Sequence, residues 1–120
     1  MTPETLLKVC SMPNAFTTSL NKSMVQLLKE SGYLGHENEV TKDEIMEFLK
    51  THPDFIESWK EYSEDKRCSS GWYLLHEDSI WTVGYFGVGG KAKEQRYTSG
   101  FEACAVFILK ELEQLAESAS

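Results

Sequence analysis

The chain has 120 residues, of which 41% are apolar and 12% aromatic, and carries a formal net charge of −7. That is enough for one domain with a single core and no disulfide or metal staple, and the composition excludes an intrinsically disordered chain. The longest unbroken apolar run is Ala103 to Leu109, far short of the roughly 20 residues that cross a bilayer.

The first element is announced by Thr2, Pro3 and Glu4. A capping hydroxyl, a proline whose missing N–H is harmless and a first-turn acid together predict a helix start. Pro13 disfavours helical geometry at the residue before it, so this helix is expected to end by Met12. A second helix is expected from about Phe16 to Ser31, with Leu20, Met24, Leu27 and Leu28 as its apolar stripe and Gly32 as its left-handed stop. Thr41 to Glu44, "TKDE", reads as a capping box in which Thr41 accepts an N–H and Glu44 reaches back. The helix that follows carries Ile45, Phe48 and Leu49 on one face. "THPD", Thr51 to Asp54, interrupts it and opens another with Phe55, Ile56, Trp59 and Tyr62 turned inward.

After the polar "EDKRCSSG" the texture changes to aromatic and β-branched residues. "WYLLH" and "IWTVGYF", separated by "EDS", predict a β-hairpin with a short acidic turn. Trp81, Val83 and Tyr85 are expected on one face of its second strand, with Ile80, Thr82 and Phe86 on the other. "KEQRYT" is a more polar third strand. "SGFE", Ser99 to Glu102, is a second capping box, opening a helix to about Glu117. The broad apolar stripe of that helix (Phe101, Cys104, Ala105, Ile108, Leu112 and Leu115, widened by Val106, Phe107 and Leu109) suits a helix laid across a sheet. The expected architecture is a single α+β domain over residues 1–120. N-terminal helices fill residues 1–65, and a three-stranded antiparallel β-meander with a C-terminal helix packed on it fills 69–117.

The charge is unevenly placed. Between Glu37 and Asp65 there are ten acids against three lysines, a local excess equal to the net charge of the whole chain. Asp54, Glu57, Glu61, Glu64 and Asp65 recur at steps of three, four and one, so most of them form a ridge along one helix face. Such a field repels nucleic acid and anionic membranes and attracts basic surfaces; a solvated face that only aids solubility is the plainer reading.

Catalytic motifs fail on inspection. In "YFGVGGKAKEQR", Tyr85 to Arg96, the spacing of a phosphate-binding loop is wrong and Ala92 stands where a magnesium-binding hydroxyl belongs. The loop also leads into a strand rather than a helix. These glycines are expected to make a flexible turn between the second and third strands, with Lys91 and Lys93 exposed at its exit. "HEDS", His76 to Ser79, holds the residue types of a hydrolase triad, but four consecutive turn residues cannot converge as one. His36, His52 and His76 have no chelating spacing, so no metal or other cofactor is expected. The odd cysteine count (Cys10, Cys68 and Cys104) argues against a disulfide framework, and the N-terminus does not read as a signal peptide. A cytoplasmic, non-enzymatic protein is the expectation, with Cys104 buried on the helix stripe. Cys68, beside Lys66 and Arg67, is left as a candidate reactive thiol.

The second half resembles a known class. A strand opening Gly71-Trp72-Tyr73, another at Trp81-Thr82-Val83, an aromatic at Tyr97 and a helix starting Glu102-Ala103-Cys104-Ala105 are similar to the C-terminal portion of small immunity proteins. These are the antidotes of bacterial contact-dependent and other polymorphic toxin systems. The resemblance spans roughly Ser69 to Leu112. It implies an inhibitor that occludes a cognate toxin domain, often a basic nuclease, through an acidic surface. The candidate partner-binding residues are Asp54, Glu57, Glu61, Glu64 and Asp65, with Glu77 and Asp78 at the hairpin tip and Trp72 and Tyr85 as aromatic anchors. Two alternatives stay open: a nucleic-acid-associated regulator using Lys91, Lys93 and Arg96 of the glycine-rich loop, and another acidic inhibitor or adaptor.

Overall fold

The computed structural model describes residues 3–18, 23–35, 37–66, 71–87 and 89–119. Among these residues five helices precede the sheet: α1 (Pro3–Cys10), α2 (Met12–Thr18), α3 (Met24–Ser31), α4 (Lys42–Thr51) and α5 (Asp54–Lys66), with a 3₁₀ turn at Glu37–Glu39. Strands β1 (Gly71–Glu77), β2 (Ile80–Gly87) and β3 (Gly90–Tyr97) form an antiparallel sheet in the order β1-β2-β3, and α6 (Gly100–Ala119) follows. The α+β architecture, with its meander and a C-terminal helix on the sheet, is the expected one.

The N-terminal helices are divided differently. α1 stops at Cys10, before the proline, as expected; Pro13 then lies in the first turn of α2, where a helix has no use for its N–H. The single helix expected from Phe16 to Ser31 is two, because Ser23 caps a fresh start: its side chain accepts from Gln26 N at 3.1 Å. Thr2, Leu20, His36 and Cys68 lie outside the described residues. Gly32 closes α3 with φ 89°, the left-handed stop foreseen for it.

Both capping residues act as read. Thr41 Oγ1 accepts from Glu44 N at 3.3 Å, and Ser99 Oγ accepts from Glu102 N at 3.3 Å. The acid of the second box departs from the motif: Glu102 pairs with Lys42 Nζ at 3.0 Å, joining α6 to α4.

One hydrophobic cluster runs from Val9 to Leu112, and α6 is its hub, touching α3, α4, α5 and all three strands. Phe107, Ile108 and Leu112 are fully buried, each worth roughly 1.5–3 kcal/mol from leaving water. Trp59 of α5 packs edge-on to Phe107 and donates its indole N–H to the Cys10 carbonyl at 2.8 Å. That bond ties α5 to the end of α1.

Strand alternation places Trp72, Leu74 and His76 of β1 opposite Tyr85, Val83 and Trp81 of β2 on the face toward α6. Leu74 and Val83 are buried there, with Trp72 and Trp81 packed on the core. The opposite face carries Leu75, Ile80, Thr82 and Phe86; Ile80 and Phe86 are exposed. Tyr73 on that face is nevertheless buried. It lies over Gly84, and its hydroxyl donates to Glu94 at 2.8 Å.

The edge of β1 is closed by a helix. Ser63 of α5 accepts from Leu74 N at 2.7 Å and donates to Leu74 O at 3.3 Å. These are the groups that a missing fourth strand would have taken. The acidic helix is thereby locked against the sheet.

Candidate partner-binding surfaces

Asp54, Glu57, Glu61 and Glu64 are all exposed on α5, at the i, i+3, i+7 and i+10 positions of one helix face. The side chain of Asp65 is outside the described set. Among the described residues the only cation on this face is Lys60, 3.9 Å from Glu57. The inward residues are those expected, with Trp59 and Ile56 buried and Phe55 and Tyr62 half-buried. No pattern in the sequence pointed to Ser63, whose burial and edge-capping bonds hold the ridge in place.

The acidic field continues onto α4. Asp43, Glu44 and Glu47 border a shallow depression with Leu6 and Phe48. At the α4–α5 corner Phe48, His52 and Phe55 stack nearly parallel, with centroids 4.2 Å apart for Phe48–His52 and 5.7 Å for His52–Phe55. His52 Nδ1 lies 3.1 Å from the Phe48 carbonyl and 2.8 Å from Thr51 Oγ1. A donated Nδ1–H to that carbonyl orders the helix end.

The hairpin tip is tighter than the three-residue turn expected from "EDS". Glu77 pairs with Ile80, leaving Asp78 and Ser79 as a two-residue turn with φ 51° and 67°, the geometry that matches strand twist. Glu77 and Asp78 are exposed. His76 stacks on Trp81 at 3.9 Å; its ring is held along the strand.

Trp72 and Tyr85 meet edge-to-face at 5.4 Å and are half-buried on the α6 side. Their surroundings are cationic. Lys110 Nζ lies 5.3 Å from the Trp72 ring centre and Lys93 Nζ 6.0 Å from that of Tyr85. Trp72, Val83, Lys93, Glu94, Gln95, Val106 and Lys110 line a groove of about 440 Å³. So the structure brings the two aromatics together, but on basic ground on the α6 side of the sheet, with the acidic ridge on α5. Lys110 escaped notice in the sequence because it is a lone cation there, set between Leu109 and Glu111.

The glycine-rich stretch is a tight hairpin. β2 runs to Gly87 and β3 begins at Gly90, with Gly89 and Gly90 at φ 94° and 99°. β3 therefore starts three residues earlier than expected, and Lys91 belongs to it. Lys93 sits in a β-bulge at φ 55°.

Burial pushes the Cys10 thiol up to about 12, and raises Cys104 still further with help from Cys10. Both are buried, inert thiols. Tyr62 is raised by burial and by its hydrogen bond to Glu111, a carboxylate 2% exposed on α6. Among the described residues no group of three His, Cys, Asp or Glu is placed to hold a metal, and no helix is long and apolar enough to cross a membrane. The chain matches no protein-family model, no curated protein and no solved structure.

Proposed function

We propose that the chain is an immunity protein, which binds and neutralises a basic toxin domain through the acidic face of α5. The carrying observation is the row Asp54, Glu57, Glu61 and Glu64: all exposed, periodic, and faced by a single lysine among the described residues. A row of this kind speeds encounter with a basic surface, because its charges add along one axis. The acids bordering Phe48 on α4 extend the field beside an apolar patch able to anchor it. The Ser63–Leu74 bonds hold the helix to a rigid sheet, so the ridge is preorganised. The likeness of residues 69–112 to immunity proteins supports the same reading, and a nuclease toxin is the partner it favours.

The test is co-expression of the chain with the polypeptide encoded immediately upstream of it, scored by survival, and stopped-flow association of the two purified proteins. The Glu57→Lys/Glu61→Lys/Glu64→Lys variant should keep its circular dichroism spectrum, lose protection, and associate at least about tenfold more slowly at low salt. Unchanged association at low salt would remove the ridge from the interface. Absence of any complex would remove the inhibitor reading.

A further inference from the structure

The two edges of the sheet are treated differently. In a two-residue hairpin the closing pair is hydrogen-bonded, and bonding alternates along the strands from there. Starting from Glu77↔Ile80, residues Thr82 and Phe86 of β2 bond toward β1, while Trp81, Val83 and Tyr85 bond toward β3. Leu74, opposite Val83, must then point its N–H and C=O outward, where Ser63 takes both. By the same register Lys91 and Arg96 of β3 present their backbone groups outward. Among the described residues, β3 makes substantial contact only with β2 and α6. Nothing among them plays the part of Ser63 on this side.

The open edge adjoins the groove described above, whose walls are Lys93, Glu94 and Gln95 of β3 and Val106 and Lys110 of α6. A strand laid along β3 would alternate its side chains. One set would enter this groove, over Val83, Val106 and Trp72 and between two lysines; the other would lie beside Arg96 on the opposite face. The acid of the strand, Glu94, accepts from the Tyr73 hydroxyl on that opposite face and keeps its charge. Lys93, Arg96 and Lys110 together outnumber Glu94 among the described side chains, so edge and groove carry a net positive charge, concentrated on the α6 side, in a chain whose overall charge is −7.

We propose that the β3 edge and the β3–α6 groove form a strand-addition site for an extended acidic segment of a partner polypeptide. Backbone bonds supply affinity in such a mode, and the pockets for alternate side chains supply selectivity. The same cations disfavour a second copy of this chain, since antiparallel pairing of two β3 strands would bring their lysines and arginines together. This surface is separate from the acidic ridge and takes a partner segment of opposite charge.

The probe is a fluorescent, end-blocked peptide alternating Glu and Val, eight residues long to match β3. It is titrated with the full chain at about 50 mM salt and followed by anisotropy. Saturable binding is expected, weakened about tenfold or more by Lys110→Glu and at about 300 mM salt. A peptide alternating Lys and Val should leave the edge empty. Arg96→Pro removes the outward N–H and Arg96→Gln keeps it, so the proline variant should bind about tenfold more weakly than the glutamine one. If Arg96→Pro does not fold, amide exchange in the wild type decides. Lys91 and Arg96 should exchange fast when free and slow with peptide, while Gln95 and Tyr97 stay slow throughout. No saturation at millimolar protein, equal binding by the two Arg96 variants, or unchanged exchange at Lys91 and Arg96 would each overturn the proposal. So would a dimer of the chain itself that buries this edge.

Discussion

Ser63→Ala isolates the contact that docks the acidic helix on the sheet. Ser63 is 1% exposed and Leu74 not at all, so water cannot replace the lost hydroxyl. The stronger of its two bonds, Leu74 N to Ser63 Oγ, is 2.7 Å long, and stranding that buried N–H costs about 1–3 kcal/mol. The return bond to Leu74 O is 3.3 Å and adds little, because a carbonyl tolerates the loss of a partner better than an N–H does. Alanine is the better helix former and gives back about 0.5 kcal/mol. The net expectation is a loss of about 0.5–2.5 kcal/mol, or a melting point lower by about 2–10 °C for a domain of this size. Urea unfolding followed by tryptophan fluorescence measures it, since Trp59 is fully buried; the midpoint should fall with the slope unchanged. Ser58→Ala, half-buried on the same helix, is the control and should stay within about 0.5 kcal/mol of wild type. A Ser63→Ala protein as stable as that control would refute the edge-capping role.

Gly84→Ala should destabilise by about 1–3 kcal/mol, because its Cβ would clash with the Tyr73 hydroxyl and ring. Tyr73→Phe should cost less, and the double variant should fall short of the sum in the same urea assay, since both act on one contact. Thr41→Ala should cost about 1 kcal/mol and Thr41→Ser almost nothing, the hydroxyl being what caps α4. The thiols predict an alkaline limit. Their pKa values are raised in the fold, so their contribution is complete below the unfolded value of 9.0 and declines as pH rises toward the folded value, about 12 for Cys10. In that window each thiol should lower stability by up to about 1.4 kcal/mol per pH unit. Urea midpoints across it should fall less steeply for Cys10→Ala/Cys104→Ala, and an equal slope would refute the coupling.

Local signals were legible wherever a residue acts on its own neighbours. Thr41, Ser99 and Gly32 perform the capping and stopping expected of them, because those bonds span three residues or fewer. The stripes of α5 and α6 and the alternation of β2 were readable for a related reason: a regular element of fixed period needs one buried face. The division of the N-terminal helices was not, since Pro13 is as compatible with a first turn as with a stop. The candidate surface was legible in part. The exposure of Asp54, Glu57, Glu61 and Glu64 follows from period alone, whereas the cations around Trp72 and Tyr85 come from α6 and a bulge in β3.

What this sequence determined by itself is the α+β order, the helix ends other than those around Pro13 and Ser23, and the acidic face of α5. Those follow from composition and from interactions local along the chain. The tertiary structure decided which polar groups were to be spent on joining elements: Ser63 on the β1 edge, Trp59 on the Cys10 carbonyl, Glu102 on Lys42 rather than on its own cap. It also decided that one sheet edge is closed and the other open. Partners 11 to 60 residues apart leave no periodic trace, because their pairing depends on the angles at which whole elements pack.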